Sequence, residues 1–379
     1  MDPLLTHISA YERQIVALIR QFVECESPSD DPAAVNRFVE LVSDTIAPIA
    51  RVKTHAGGRF GKHLVCEMQT PERRKSGQIL ALGHSDTVWP MGTLRSMPFR
   101  VADGRLWGPG VLDMKAGIAF LIFAVRALRD LEIPTPSKVV LQLNSDEEVG
   151  SESSRPLTEK NAAASKAVLV LEPGTGLEGK LKTARKGVGD YTVTVRGKGL
   201  ARRCGFRGRR KRHLGTGAAT RPHRRLHRSA TRHHSESRSH RRGQQIERRR
   251  GGSTCRGRHP RSQTEGRSAF GEEVPFLKPI DRRCSIDVTG GLNRPPMERS
   301  AGIVKLFRTA QKLAREIGVK LEESLTGGGS DGNFTAALGI PTLDGLGAVG
   351  EGAHASNESI LSDRIVDRTA LIAKLLAAL

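Results

Sequence analysis

Three short apolar runs constrain this chain more than any other feature. They are QILALG (Gln78–Gly83), KVVLQLN (Lys138–Asn144) and AVLVLE (Ala167–Glu172). Each is strand-sized and nearly continuous in apolar residues, as strands buried on both faces are. Helical spacing appears between and after them, in KAGIAFLIFAVRALRDL (Lys115–Leu131), ERSAGIVKLFRTAQKLAREIG (Glu298–Gly318) and the closing IVDRTALIAKLLAAL. The opening MDPLLTHISAYERQIVALIRQFVE also reads as one amphipathic helix. Alternation of strands and helices predicts an α/β fold with a mostly parallel central sheet covered on both faces. Two other segments, DYTVTVRG (Asp190–Gly197) and CSIDVTGG (Cys284–Gly291), alternate polar and apolar residues. They predict half-exposed strands of a smaller antiparallel α+β domain. The predicted organisation is one domain over 1–185 and 292–379, interrupted by an insert over 186–291.

Polar residues collect just past the apolar runs, where open α/β sheets place their ligands. QILALG leads into HSDTV, where His84 could bind a metal and Asp86 could hold its imidazole in one tautomer. GPGVLDMKAG sets Asp113 at the tip of a glycine-rich loop ahead of a helix. KVVLQLN leads into SDEEVGS with the adjacent pair Glu147 and Glu148. AVLVLE ends at Glu172 before Pro173-Gly174, and GEGAHASNE carries His354 in a second glycine-rich loop. Each feature alone has a plain structural reading: a core histidine, a solvated acidic face, a helix cap at Asp113, a strand-ending turn at Glu172, a surface loop at His354. Their order, each beside a strand end or glycine-rich loop, is the stronger signal. Two histidines and several carboxylates suit a pair of divalent metals such as zinc. Such a pair needs a bridging carboxylate, and polarises a carbonyl and acidifies a water. A carboxylate that is not a ligand must then take the water's proton, and Glu147 beside Glu148 is the natural candidate.

These motifs resemble the co-catalytic zinc metallopeptidases that include glutamate carboxypeptidase, aminoacylases and succinyl-diaminopimelate desuccinylase, and most of all the bacterial glutamate carboxypeptidase branch. The matching text is GHSDTV, GPGVLDMKAG, NSDEEVGS, VLEPG, KTARKGVGDYTVTVRGK, TGGGSDGNF and GAH. The resemblance implies a zinc-peptidase-like catalytic domain plus an inserted dimerisation, or lid, domain. It implies His84 and Glu172 as ligands of one metal, Glu148 and His354 as ligands of the other, and Asp113 as the bridge, followed by a cis peptide. It implies Glu147 as general base and Asp86 as support for His84. It also places the loop Thr326–Phe334, with Gly328, Gly329, Ser330 and Asp331, beside the substrate. The implied activity is a metallocarboxypeptidase or amidohydrolase that cleaves an amide bond to a C-terminal amino acid, glutamate above all, in a small peptide or N-acyl amino acid.

One stretch breaks the pattern. From Leu200 to Phe276 there are 22 Arg or Lys against 5 Glu and no Asp, a local balance of +17 out of the chain's +21. The same window holds 7 of the 12 His but one Val and one Ile, so it cannot supply a strand core. Where the family would continue with A-x-H-A-G after VTVRGK, this chain reads GLARRCGFRGRR. Codons permitted for Leu200–Thr216, regrouped one base later, translate as ASHAGAGFEAGASAILE. An extra base near codon 199 and a lost one near 276 would explain both edges of the window, and the segment is expected to be out of frame and disordered. In intact relatives the inserted domain carries the dimer interface, a histidine that reaches the partner's site, and an Arg or Asn that grips the substrate carboxylate. The chain as written is expected to have none of these residues. Two alternatives therefore stand: a metal-binding but inactive frameshifted product, or a basic nucleic-acid-binding protein on a retired peptidase fold. The single Phe before the window's last residues leaves few stacking platforms, which argues against nucleic acid as a partner.

The five cysteines, Cys25, Cys66, Cys204, Cys255 and Cys284, have no C-x-x-C spacing, so neither a disulfide framework nor a cysteine zinc site is signalled. No signal peptide or membrane-spanning run is read in the sequence, and the expected location is the cytoplasm.

Overall fold

Every second residue of the central strands faces the same layer, and this alternation builds the core. In the computed structural model, which describes residues 2–71, 76–197, 206–207, 245–249, 252–260, 278–279 and 284–379, six strands form the main sheet. They are β1 (Ala50–Ala56), β2 (Lys62–Met68), β3 (Gln78–His84), β4 (Lys138–Asn144), β5 (Ala167–Val170) and β6 (Thr342–Leu343), in the spatial order β1-β2-β4-β3-β5-β6. Ile79 and Ala81 join a large cluster with the helices Glu12–Glu24, Pro32–Ile46, Ala116–Asp130, Ala301–Glu316 and Ile365–Ala378. Leu80 and Leu82 point the other way, into a smaller cluster that includes Val168, Val170 and Ala162 of the helix Arg155–Ala163. Both faces of β3 and β5 are covered, which is why these two strands carry no polar stripe.

The sheet is mixed. β4, β3, β5 and β6 run parallel, whereas β1 and β2 form an antiparallel hairpin joined antiparallel to β4. Parallel neighbours need a long crossover, but a hairpin needs only a short turn. Gly58 and Gly61, with φ of 60° and 93°, lie in that turn. The expected single N-terminal helix is two, Pro3–Ala10 and Glu12–Glu24. The break falls at Tyr11, whose amide donates back to Ile8 and whose ring lies 5.0 Å from His7 and 6.3 Å from Phe123. The helix Ala116–Asp130 is buried on nearly all sides, so its sequence is apolar all round.

The chain divides into two compact units, Met1–Val188 with Pro260–Gln263 and Asn293–Leu379, and Gly189–His259 with Thr264–Leu292. Strands of the second unit lie in a four-stranded sheet ordered Gln245–Arg249, Gly252–Pro260, Val188–Gly197, Cys284–Arg294, and in a short antiparallel pair, Phe206–Arg207 with Lys278–Pro279. The disorder expected over 200–276 falls, for most of that stretch, outside the described residues. Among the described residues no helix is long and apolar enough to cross a membrane.

Gly117 opens the buried helix directly against a strand end. A Cβ there would collide with the carbonyl oxygen of Leu171, which is backbone and cannot swing away. Gly117→Ala is therefore expected to destabilise the protein by about 1–3 kcal/mol, read by urea denaturation. An unchanged midpoint would show that the helix slides freely over this carbonyl.

Candidate metal centre

Strand register assembles the first half of the site. β3 lies between β4 and β5, with His84 level with Asn144 and Leu82 level with Val170. Because the strands are parallel, the two residues that follow the end of β5 bring Glu172 level with His84. On the other side the chain leaves Asn144 into a single 3-10 turn, Glu147–Val149. Three polar positions separated by dozens of residues thus share one sheet edge, at the C-terminal ends of the strands.

A small antiparallel sheet supplies the second half. Arg105–Trp107 pairs with Ser359–Leu361, which itself pairs with Gly350–Glu351. This pairing holds the loop bearing His354 against the loop bearing Asp113. His354 has φ of 61°, a left-handed conformation uncommon for a residue with a side chain. The Asp113–Met114 peptide is cis. Asp113 does not cap the following helix, whose N-cap is Lys115. Its carboxylate turns inward instead.

Asp113 is common to two groups of candidate ligand atoms. Its Oδ1 lies 3.2 Å from His84 Nε2, which is 3.7 Å from Glu172 Oε1. Its Oδ2 lies 3.0 Å from His354 Nε2, which is 2.9 Å from Glu148 Oε1. Within each trio, His84–Asp113–Glu172 and Asp113–Glu148–His354, the potential ligand atoms all lie within 4.8 Å of one another. The geometry of the second trio satisfies no hydrogen bond at either His354 Nε2 or Glu148 Oε1, although both atoms are buried. In the first trio the tautomer follows from the partner. His84 Nδ1 lies 2.8 Å from the backbone carbonyl of Asp86, which can only accept, so Nδ1 carries the proton. Nε2 then faces carboxylate oxygens with a lone pair, unless a second proton or a cation lies between them. Unpartnered buried acceptors, and acceptors facing acceptors, fit divalent cations at both trios.

Asp86 serves the site in two ways. Its carbonyl orients His84, while its carboxylate stands 3.6 Å from Nδ1 and accepts the amide N–H groups of Glu147 and Glu148 and the hydroxyl of Ser29. Glu147 belongs to neither trio. Its Oε1 accepts from Arg294 Nη2 at 2.8 Å. Arg294 also reaches Ser151 and Asp331, and its Nε is buried without a partner. Nothing in the local sequence marks this arginine, since no motif around it signals a contact with Glu147. Nor does the local sequence mark Arg185 and Asp344, a buried bidentate pair at 2.7 and 2.9 Å whose guanidinium stands 3.5 Å from Glu172. The loop expected over Thr326–Phe334 is shorter, since Thr326 ends a strand and a helix begins at Gly332; within it Gly328 is exposed and Gly329 half-buried. The Ser330 and Asp331 side chains turn inside, Ser330 to Asp344 and Asp331 to Asn144, Ser151 and Arg294.

Burial opposes the charged form of every one of these groups. It pushes Glu147 well above the usual carboxylate range against the pull of Arg294, and it raises Glu148 and lifts Glu172 to about 7. Burial would lower the two imidazoles, but the carboxylates beside them outweigh it: Asp113 and Asp86 raise His84 well above its ordinary value, and Asp113 and Glu148 bring His354 to about 10. Burial opposes ionisation of Asp113 as well, yet both histidines hold its pKa low.

The signs combine as follows in cation-free protein. The three raised carboxyls keep protons that the unfolded chain releases above about 4.5. The two raised imidazoles keep protons that it releases above about 6.5. The folded state binds more protons in both cases, so stability falls as pH rises from about 5 towards 10. A cation displaces the protons of the ligand groups among them, Glu148, Glu172, His84 and His354, so its affinity rises over the same window. The gap in Tm between chelated and zinc-saturated protein is therefore expected to widen from pH 6 to pH 9. A gap independent of pH would contradict proton displacement at these residues.

Known proteins share stretches of this sequence and this fold. The sequence profile of the peptidase family M20/M25/M40 matches residues 80–378. Carboxypeptidase G2 of Pseudomonas sp. (strain RS-16) is 27% identical over 187 residues, 48% of this chain and 44% of that protein. Succinyl-diaminopimelate desuccinylase of Rhodospirillum centenum is 34% identical over 194 residues, 48% of this chain and 49% of that protein. The chain therefore spans somewhat under half the length of these curated relatives in the matched stretches. In the crystal structure of human carnosine dipeptidase 1 the fold is similar, with a TM-score of 0.69 at 15% identity over 100% of this chain and 99% of that one.

Proposed function

We propose that this chain, which belongs to peptidase family M20/M25/M40, is a metal-dependent carboxypeptidase or amidohydrolase. Its substrate is a small peptide or N-acyl amino acid with glutamate at the C-terminus. The observation that carries this reading is Asp113, with one carboxylate oxygen facing each His–Glu pair. His84 and Glu172 would hold one divalent cation and Glu148 and His354 the other, with Asp113 shared; mixed nitrogen and carboxylate ligands favour zinc. When bound, such a pair supplies Lewis-acid polarisation of the scissile carbonyl and a more acidic water.

The protein's own groups do the rest. Glu147 takes the proton of the attacking water as its oxygen bonds to the carbonyl carbon, then passes that proton to the amine as the C–N bond breaks. Burial keeps Glu147 basic enough for this, and Arg294 aims its carboxylate. The unpartnered Nε of Arg294 is the candidate contact for the substrate carboxylate. Gly328 and Gly329 let the backbone of their loop approach the substrate closely, while Ser330 and Asp331 hold that loop from inside.

The test is hydrolysis of N-acyl glutamate against N-acyl alanine and N-acyl lysine, with and without chelator. Metal-dependent turnover that prefers glutamate is expected. Two bound ions with no turnover would sink the hydrolase reading and favour a second one.

That second reading rests on the missing A-x-H-A-G motif and the basic run over 200–276. It takes the chain as written to be a metal-binding product with little activity and no family-type homodimer. Loss of a group that stabilises the oxyanion costs about 10²–10³ in rate. Resequencing codons 195 to 280 decides its origin. A base removed near codon 199 and one restored near 276 would return the ordinary dimeric enzyme, and unchanged DNA would leave the metal centre as the intact part.

A further inference from the structure

A single buried carboxylate organises the loop that aims Asp113. Glu358 is fully buried. Its Oε1 accepts the amide N–H of Leu112 at 2.9 Å and that of Asp113 at 3.0 Å. Its Oε2 accepts the amide N–H of Gly110 at 2.9 Å and the indole N–H of Trp89 at 2.6 Å. Its own backbone carbonyl accepts from the amide of Gly108 at 3.4 Å.

These contacts matter because the loop does not hold itself. Asp113 and Met114 have φ/ψ of −118°/92° and −137°/32°, outside the helical region, so the helix that follows does not fix them. Gly110, at φ 73°, lies in the left-handed region at the loop's turn. The amides of Gly110, Leu112 and Asp113 converge on one carboxylate, and a carboxylate with two oxygens can satisfy all of them at once. Glu358 also lies four residues after His354, at the end of the same tight loop, where its amide donates to Ala355. One segment therefore carries both a candidate ligand and the anchor of the shared carboxylate.

We infer that Glu358 is the positioning residue of the centre: through the backbone of 110–113 it sets Asp113 between the two His–Glu pairs, and so governs how tightly the second divalent ion is held. This inference rests on the paired-metal reading above.

The test measures manganese(II) bound per chain by equilibrium dialysis for the wild-type protein, Glu358→Gln and Trp89→Phe. Electron paramagnetic resonance of the loaded proteins reports coupling between the two ions through a shared carboxylate. Glutamine matches glutamate in size but turns an N–H₂ group toward N–H donors. Glu358→Gln is expected to keep the first ion, to bind the second about 10–100-fold more weakly, the usual effect of losing an outer partner of a metal ligand, and to lose the coupling signal. Trp89→Phe removes one donor from the same carboxylate without touching the amides, and is expected to bind both ions within about threefold of wild type. A wild-type protein that binds no pair would overturn the paired-metal reading itself. A wild-type pair retained with unchanged affinity and coupling in Glu358→Gln would overturn this inference alone. So would Trp89→Phe weakening the second ion as much as Glu358→Gln, since the carboxylate would then act by packing only. If Glu358→Gln does not fold, Glu358→Asp takes its place. Its shorter arm cannot reach all the donors at once, and the same weakening of the second ion is expected, with wild-type affinity there counting against the inference.

Discussion

Replacing Glu147 by glutamine is expected to leave two divalent ions bound and to lower kcat by about 10²–10⁴, the usual contribution of a positioned general base. Glutamine occupies the same volume, and its amide oxygen can still accept from Arg294, so the local structure survives. What it cannot do is take a proton. Glu147 lies outside both trios of candidate ligands, and KM is therefore expected to change little. Metal content and steady-state kinetics on the same preparation check this. A variant that loses an ion along with activity would make Glu147 a ligand. The ratio is read against the wild-type chain's own turnover, so a low absolute rate from an altered insert does not hide it. Activity should also rise with pH through the Glu147 ionisation, because burial holds its pKa above the usual carboxylate range, and that limb should vanish in the variant.

Asp113→Asn is expected to have the largest effect on metal binding. Asp113 is the one residue common to both trios, and each of its oxygens serves a different one. Asparagine removes the charge and presents an N–H₂ group to one of the imidazoles. At least one ion should be lost or weakened by more than about 10²-fold, beyond the 10–100-fold typical of an outer partner. Thermal unfolding with added zinc gives a second measure. A ligand at 100 times its Kd stabilises the folded state by about 2.7 kcal/mol. The wild-type protein should show a gain of that order, and Asp113→Asn much less. Equal gains would mean that the ions bind elsewhere.

Much of this was legible in the chain text, because burial on both faces leaves a continuous apolar signature. The runs at 78–83, 138–144 and 167–172 and the helices near 116–130, 301–316 and 365–378 are visible for that reason. The hairpin Ala50–Ala56 with Lys62–Met68 was not, since its first strand is mostly exposed and lacks the clean alternation a reader looks for. Arg185, Asp344, Arg294 and Glu358 were passed over for a related reason. A buried charge is indistinguishable in sequence from a solvated one, and only its partners identify it.

The sequence by itself determined the α/β class, the family resemblance and the polar residues gathered at strand ends, because periodicity and local motif are properties of neighbours along the chain. The tertiary structure decided the rest. Parallel register brought Glu172 and the 147–148 turn to either side of His84. A three-residue strand pairing, Ser359–Leu361 with Arg105–Trp107, carried His354 across more than 200 positions to Asp113. Which oxygen faces which imidazole is a matter of ångströms, set by long-range pairing and by buried anchors such as Glu358, and no local pattern encodes it.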